Sequence, residues 1–167
     1  MSADPPLPSR RLRVVLPLAA LVLAVDQGTK LWAESALADR MPIPVIDGFL
    51  RLRLLRNPGA AFSLGTGSTW VFTILAAAAV VVIFTFALRP QPTGRAVALG
   101  LLLGGATTHL LDRLFRAPGF GRGAVVDFID YNGWFVGNVA DIALTVGAVL
   151  LIVLGFSGNG DEQLGED

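Results

Sequence analysis

Two aspartates are the strongest candidates for chemistry in a chain dominated by apolar stretches. Asp141 is the only charged residue in the stretch 134–156, and Asp127 precedes it by fourteen residues. Two carboxylates that share a site can hold one proton between them, so that one activates a water molecule while the other polarises a carbonyl group. Asp127 and Asp141 are plausible members of such a pair. The alternative for Asp141 is a salt bridge to another helix.

The amino-acid composition excludes several other kinds of catalytic and metal-binding chemistry. The 167 residues include no cysteine and one histidine, His109. This excludes disulfides and thiolate chemistry, and it argues against a histidine-based metal site. A serine protease triad would have to use that single histidine. The net charge is zero, so charge does not indicate a nucleic-acid partner. We expect no metal ion, no cofactor and no nucleic acid.

The hydropathy pattern predicts a membrane protein. Hydrophobic residues make up 53% of the chain and charged residues 16%, whereas soluble domains carry about 25% charged residues. Four apolar stretches have roughly the length of a membrane-spanning helix. Trp32, Trp70 and Trp134 stand at their ends, where interfacial aromatic residues belong. The predicted spans are 12–32, 70–88, 96–113 and 134–156.

The segments around these spans complete the predicted organisation. Residues 1–156 are predicted to form a single integral membrane domain, followed by a disordered polar tail at 157–167. The arginines before the first apolar run are typical of a signal peptide, but no convincing cleavage site follows, so we predict a retained first helix. Leucine and arginine alternate from Leu50 to Leu54, which predicts a strand. The glycine-rich segment 117–133 is predicted to be a loop.

The orientation is ambiguous from charge alone. Four spans put both termini on one side of the membrane. Five arginines lie on the side of the termini and seven lie in the two long connectors, which favours the connectors inside. The arginines beside the first helix favour the opposite orientation, and we predict cytoplasmic termini.

Several polar residues share helix faces. Asp26 and Lys30 are four residues apart and can pair, either as a structural ion pair or to orient neighbouring polar groups. His109, Asp112 and Arg113 also share one face. There, Asp112 and Arg113 either reach the interface from a helix end, or Arg113 points at a ligand carbonyl or a catalytic carboxylate.

Two further segments contain residues that bear on packing or on binding. The small residues 104–107 predict close helix packing. Asn57 lies in a turn that leads to the second span, where it either caps the turn or binds the backbone of a substrate.

Five short segments, in order, closely resemble the lipoprotein signal peptidase family, also called signal peptidase II. The resemblance implies four membrane helices with a small extracytoplasmic β-sheet cradle. It also implies an aspartic endopeptidase that removes signal peptides from prolipoproteins, cleaving before a diacylglyceryl-modified cysteine, and that globomycin inhibits. The matching segments are Asp26–Lys30, Arg56–Ser63, Gly104–Ala106 with Leu111–Leu114, Val125–Phe128 and Asn138–Asp141.

The resemblance also implies roles for individual residues. It puts the catalytic pair on Asp127 and Asp141. By the same resemblance the enzyme lies in the bacterial inner membrane, with its active site near the outer face. Membrane lipid, lipidated prolipoproteins and globomycin-like inhibitors are the implied partners. Supporting roles fall on Asp26, Lys30, Asn57, Gly59, Arg113 and Asn138. The same segments contribute Ala60, Gly105, Asp112 and Ala140 as binding or supporting candidates. His109, which lies between two of the matching stretches, is a further candidate.

The chain departs from the family pattern at two places. Thr108 and His109 stand where the family usually has Gly and Asn, and histidine is bulkier than asparagine and titratable. Gly137 stands where the family usually has Phe, and we expect this to loosen the packing that aims Asp141. Two alternative functions remain open: a catalytically weakened homologue that binds lipidated peptides, and a small proton-coupled carrier that uses Asp141.

Overall fold

A computed structural model describes residues 9–59 and 68–160 of the chain, with side chains described in 12–59 and 68–155. Within these residues the chain is mostly helical and carries one small sheet. The helices are α1 (Ser9–Ala36), α2 (Thr69–Ala87), α3 (Thr93–Phe115) and α4 (Val139–Gly160). The strands are β1 (Ile43–Ile46), β2 (Leu50–Asn57), β3 (Val125–Asp130) and β4 (Val136–Gly137).

The four strands form an antiparallel sheet in the order β1-β2-β3-β4. The strand predicted from the leucine and arginine alternation is confirmed as part of β2. The prediction of a loop throughout 117–133 is wrong, because β3 lies within it and pairs with β2 so that Leu55 stands opposite Asp127. The glycines directed that prediction, whereas the run from Val125 to Ile129 is rich in the β-branched and aromatic residues that strands favour.

Helix α3 lies at the centre of the helical part, between α1 and α4. A side chain added at Gly104 would meet Val22 Cβ at 2.7 Å, and one added at Gly105 would meet Leu144 Cγ at 2.7 Å. These glycines therefore let α1 and α4 approach the backbone of α3 from either side. The predicted close packing of this segment is confirmed, and it brings the polar ends of the three helices together.

Three helices are long and apolar enough to cross a membrane: α1 over Leu12–Ala36, α2 and α3. The apolar segment of α4, Val139–Gly155, is shorter. The chain is thus a multi-pass membrane protein with a small antiparallel sheet.

The ends of α4 differ from the predicted span. The helix begins at Val139 rather than near Trp134, because residues 136–137 form β4 and Asn138 caps the helix. Trp134 lies in the preceding turn and is largely exposed. At the other end the helix continues to Gly160. Residues 161–167 of the predicted tail lie outside the described residues.

Candidate active site

The first turn of α4 sets the position of Asp141. The side-chain Oδ1 of Asn138 accepts a hydrogen bond from the backbone N–H of Asp141 at 3.1 Å, and Asp141 Oδ2 accepts one from the backbone N–H of Asn138 at 2.9 Å. Such a reciprocal capping box satisfies backbone donors that a helix start otherwise leaves without partners. The backbone N–H of Ala140 donates to Asp26 Oδ1 at 2.9 Å. Asp141 is therefore fixed at the start of the helix, where the helix dipole favours negative charge.

Asp127 lies in β3, and its side chain is buried. Asn57 Nδ2 donates to its Oδ2 at 3.2 Å, and Asn138 Nδ2 donates to its Oδ1 at 2.6 Å. Asn57 in turn accepts a hydrogen bond from the backbone N–H of Gly59. The amide group of Asn138 thus binds the carboxylate of Asp127 through its nitrogen and the backbone of Asp141 through its oxygen. One side chain connects the two candidate catalytic residues.

Both carboxylates line one cavity of about 200 Å³. It lies between β2, β3, the β4 strand and the facing ends of α3 and α4. Its other walls come mainly from residues that the sequence had indicated, together with Phe135 and Val136, which no sequence pattern had singled out. The lining residues are Asn57, Gly59, His109, Arg113, Val125, Asp127, Phe135, Val136 and Asp141.

The environment of Asp127 raises the pKa of its carboxyl group. Burial of its carboxyl group, and secondly the charge of Asp141, raise the pKa of Asp127 to about 6, against the opposing effect of the hydrogen bonds from Asn57 and Asn138. An acid with such a pKa keeps its proton to a higher pH than an ordinary aspartate and can donate it to a reacting group.

The raised pKa of Asp127 predicts a pH-dependent cost to stability. The pKa is higher in the folded chain than its ordinary value of 3.8, so the protonated form of Asp127 favours folding. Its contribution to the free energy of unfolding is fully present below about pH 4 and is lost as the pH rises through about 6. The loss amounts to up to about 3 kcal/mol. Asp127→Asn should therefore gain stability relative to the unmodified protein between pH 4 and 7. Thermal unfolding in detergent over this range measures the difference, and two parallel curves would contradict the prediction.

A buried ion cluster of Asp26, Lys30 and Asp112 lies beside the start of α4. Lys30 Nζ lies 2.6 Å from Asp26 Oδ2 and 2.7 Å from Asp112 Oδ2, and all three side chains are at most 1% exposed. The hydroxyl of Thr108 also donates to Asp26. The predicted pairing of Asp26 with Lys30 is confirmed, and Asp26 also accepts a hydrogen bond from the backbone N–H of Ala140 in α4.

Asp112 and Arg113 are buried, so the interpretation of this helix end as reaching into the interface is wrong. Asp112 pairs with Lys30 and with Arg116. The guanidinium group of Arg113 donates to the carbonyl oxygens of Pro58, Gly59 and Gly123. Arg113 thus holds the chain after β2 against α3, and it reaches the cavity as part of its wall.

Two supporting residues of this network were missed. Gln27 Nε2 donates to Thr108 Oγ1 at 2.7 Å and to Asp112 Oδ1 at 2.9 Å. Arg116 Nη1 lies 2.5 Å from Glu34 Oε2. Gln27 lies within the first matching segment, so its position could have indicated a role. Ala60, a candidate from the second segment, lies outside the described residues.

The site is tightly packed around Gly137, contrary to the expectation that glycine loosens it. A side chain added there would meet Phe135 Cε1 at 2.6 Å and Asp141 Oδ2 at 2.8 Å. The edge of the Phe135 ring therefore comes close to the space that a residue with a Cβ atom would need. Packing beside Asp141 thus depends on Gly137 and Phe135 together.

Gly137→Ala is expected to lower activity about tenfold, because the new methyl group must displace the Phe135 ring or the Asp141 carboxylate. Gly137→Ala should lower activity less in a Phe135→Leu protein than in the wild-type protein. Activity measurements on the four proteins form a double-mutant cycle. Strictly additive effects would show that the ring is not the group displaced.

The chain is similar to known proteins over most of its length. The sequence profile described as signal peptidase (SPase) II matches residues 18–157. The chain belongs to the signal peptidase II family. A lipoprotein signal peptidase of Mycobacterium avium is 48% identical over 95% of this chain and 87% of its own length. That of Mycobacterium bovis is 46% identical over 92% of this chain and 76% of its own. That of Streptomyces griseus is 44% identical over 89% and 76%.

Two solved structures share the fold of this chain. Both are described as bacterial membrane enzymes. One superposes with a TM-score of 0.78 and 29% identity, covering 88% of this chain and 90% of its own. The other has a TM-score of 0.71 and 28% identity, over 84% and 90%. The region matched to the signal peptidase II family contains every candidate site residue from Asp26 to Asp141.

Proposed function

We propose that the protein is an aspartic endopeptidase that removes signal peptides from diacylglyceryl-modified prolipoproteins, cleaving before the lipidated cysteine. The observation that carries the aspartic mechanism is the bridge made by Asn138, which binds the Asp127 carboxylate and the backbone of Asp141 at one cavity. Membership of the signal peptidase II family supports the substrate class. Neither the carrier nor the catalytically weakened homologue is favoured.

The two aspartates would divide the chemistry between them. Asp127, with its raised pKa, carries the shared proton and polarises the scissile carbonyl. Asp141 acts as the base and takes a proton from the attacking water. The resulting tetrahedral intermediate collapses when the peptide C–N bond breaks and a proton passes to the leaving amine. Water is the only co-reactant, and the residues of the site supply the proton transfers.

A second cavity suits the apolar part of such a substrate. Its volume is about 560 Å³, and it adjoins the first through the shared residues Phe135 and Asp141. Ile142, Leu144 and Val146 contribute apolar side chains from α4. Apolar side chains of a signal peptide or the acyl chains of the modified cysteine could lie there beside the scissile bond. Globomycin-like inhibitors would occupy the same space.

The proposed topology has four spans, with α4 as the fourth. At roughly 1.5 Å per residue, its apolar segment Val139–Gly155 extends about 26 Å, near the lower limit for crossing the hydrocarbon core. Residues 1–156 would then form one membrane domain in the bacterial inner membrane, with cytoplasmic termini and a polar tail. The sheet and the dyad would lie near the outer face, together with the long connectors.

A gel-shift assay tests the activity directly. The purified full chain, in detergent or liposomes, is incubated with a diacylglyceryl-modified prolipoprotein, and release of the signal peptide appears as a mobility shift. The same prolipoprotein without its lipid is the matched control substrate. We expect cleavage of the lipidated form alone, and we expect globomycin to block it. Binding of globomycin without any turnover would instead favour the weakened homologue.

A further inference from the structure

His109 contacts a candidate catalytic residue, although the dyad mechanism assigns it no role. Its Nε2 lies 3.1 Å from Asp141 Oδ1, and its side chain is 19% exposed on the wall of the dyad cavity. The other oxygen of Asp141 already accepts the backbone N–H of Asn138. The two oxygens of the Asp141 carboxylate therefore have separate partners: His109 of α3 contacts Oδ1, and the backbone of Asn138 at the start of α4 contacts Oδ2.

The contact requires a particular form of the imidazole ring. Asp141 as a carboxylate only accepts hydrogen bonds, so His109 Nε2 must carry a proton in the contact. A ring protonated at Nε2 alone gives a neutral donor, and a ring protonated at both nitrogens gives a cationic donor. Imidazole is the side chain that ordinarily changes charge between pH 5 and 8. His109 therefore brings a titratable donor to a place where an asparagine would bring a neutral one.

The remaining charged groups around His109 are committed to other partners in the described part of the chain. Asp127 faces the same cavity from β3, and Arg113 of its own helix binds backbone carbonyls. From α1, Asp26 and Lys30 pair with each other. The remaining acid of its own helix, Asp112, binds Lys30 and Arg116, and helix α2 contains no ionisable residue.

The arginines of the neighbouring strand β2 also have carboxylate partners. Arg51 and Arg53 pair with Asp130, and Arg56 pairs with Glu34. The two dyad carboxylates are thus the acids that a charge on His109 would affect.

We propose that His109 is a positioning residue that holds the Asp141 carboxylate through Nε2–H and, when protonated, adds a third ionisation to the dyad. The inference rests on the proposed aspartic mechanism. A cationic imidazole stabilises the doubly ionised pair, so the dyad releases its shared proton at a lower pH than it would beside a neutral amide. The upper pH limit of activity is therefore lower than an amide at this position would give.

Two substitutions separate the positioning role from the titration. In His109→Gln, the amide nitrogen lies near the place of Nε2 and keeps a donor that does not titrate. In His109→Leu, a side chain of similar bulk has no donor. We expect His109→Leu to lower kcat about a hundredfold with a small change in KM, and His109→Gln to lower it less. Thr85→Ala controls for expression and handling. The Thr85 hydroxyl donates to the backbone carbonyl of Val82 on the exposed surface of α2.

The pH profile tests the titration. The alkaline limb of kcat/KM for lipidated prolipoprotein should move to higher pH in His109→Gln, by about half a pH unit or more. Profiles of the wild-type protein and His109→Gln that superimpose would overturn the third ionisation. Equal kcat in His109→Leu and the wild-type protein would overturn the positioning role.

A spectroscopic measurement tests the contact without any substrate. Because His109 is the only histidine in the chain, ¹⁵N-labelled histidine reports on it alone when the protein is purified with a tag that lacks histidine. We expect the neutral ring to carry its proton on Nε2, and Asp141→Asn to change that tautomer balance. A neutral ring protonated on Nδ1, or a tautomer balance that is the same in Asp141→Asn as in the wild-type protein, would overturn the contact. Inactivity of the wild-type protein on prolipoprotein, with an intact His109 signal, would refute the proposed function instead.

Discussion

Replacing Asp141 by asparagine is expected to lower the rate of prolipoprotein cleavage by about a thousandfold, and Asp127→Asn should do the same. Each change removes a group that must accept or donate a proton in the transition state, and such groups contribute about 10²–10⁴-fold to rates. Asparagine keeps the size of the side chain and still has one acceptor oxygen. At position 127 it can accept from Asn57 or from Asn138, and at position 141 it can accept from the backbone N–H of Asn138. The fold should therefore survive, which a thermal unfolding curve in detergent checks.

Asp130→Asn is the matched control for the dyad substitutions. Asp130 lies in the same strand as Asp127 and is equally buried, but its Oδ2 pairs with Arg51 and Arg53, each at 3.0 Å, away from the cavity. We expect this variant to be less stable, with kcat for the folded fraction within a few-fold of the wild-type value. Full activity in either dyad variant would refute the aspartic mechanism, whatever the control does.

Lys30→Met is expected to destabilise the folded protein by about 3–5 kcal/mol. The change removes the ammonium group that lies between the carboxylates of Asp26 and Asp112, both of which are almost completely buried. Breaking a buried pair is costly because the remaining charge cannot reach water. Asp26 also binds the backbone of Ala140, so activity should fall as the start of α4 loosens. Thermal unfolding and cleavage rates measure the two effects.

Two further variants show whether the cost comes from the unpaired charge. Asp26→Asn combined with Lys30→Met leaves Asp112 with Arg116 and Gln27, so it should recover part of the lost stability. Arg56→Met is the matched control, since it removes a cation whose pair with Glu34 is exposed. It should cost less than about 1 kcal/mol. A loss in Lys30→Met as small as that of Arg56→Met would contradict the expected role of the cluster.

Much of the site could be anticipated from short segments of sequence. The capping role of Asn138 beside Asp141, the pairing of Asp26 with Lys30 and the close packing at Gly104 and Gly105 all depend on residues a few positions apart. Spacing along one helix determines such relations. The rest depends on groups that are distant in the chain. Arg113 binds carbonyls more than fifty residues away as well as one nearby, which spacing does not predict.

The sequence by itself determined that this is a membrane protein, since composition and the lengths of apolar runs decide whether helices can be buried in lipid. It also determined which carboxylates were available for chemistry. Only the tertiary structure decided that Asp127 and Asp141 share a cavity, because this requires β3 to pair with β2 and α4 to start at Asn138. The tertiary structure likewise brought His109 to Asp141, because the small residues of α3 allow α4 to pack closely enough for the two side chains to meet.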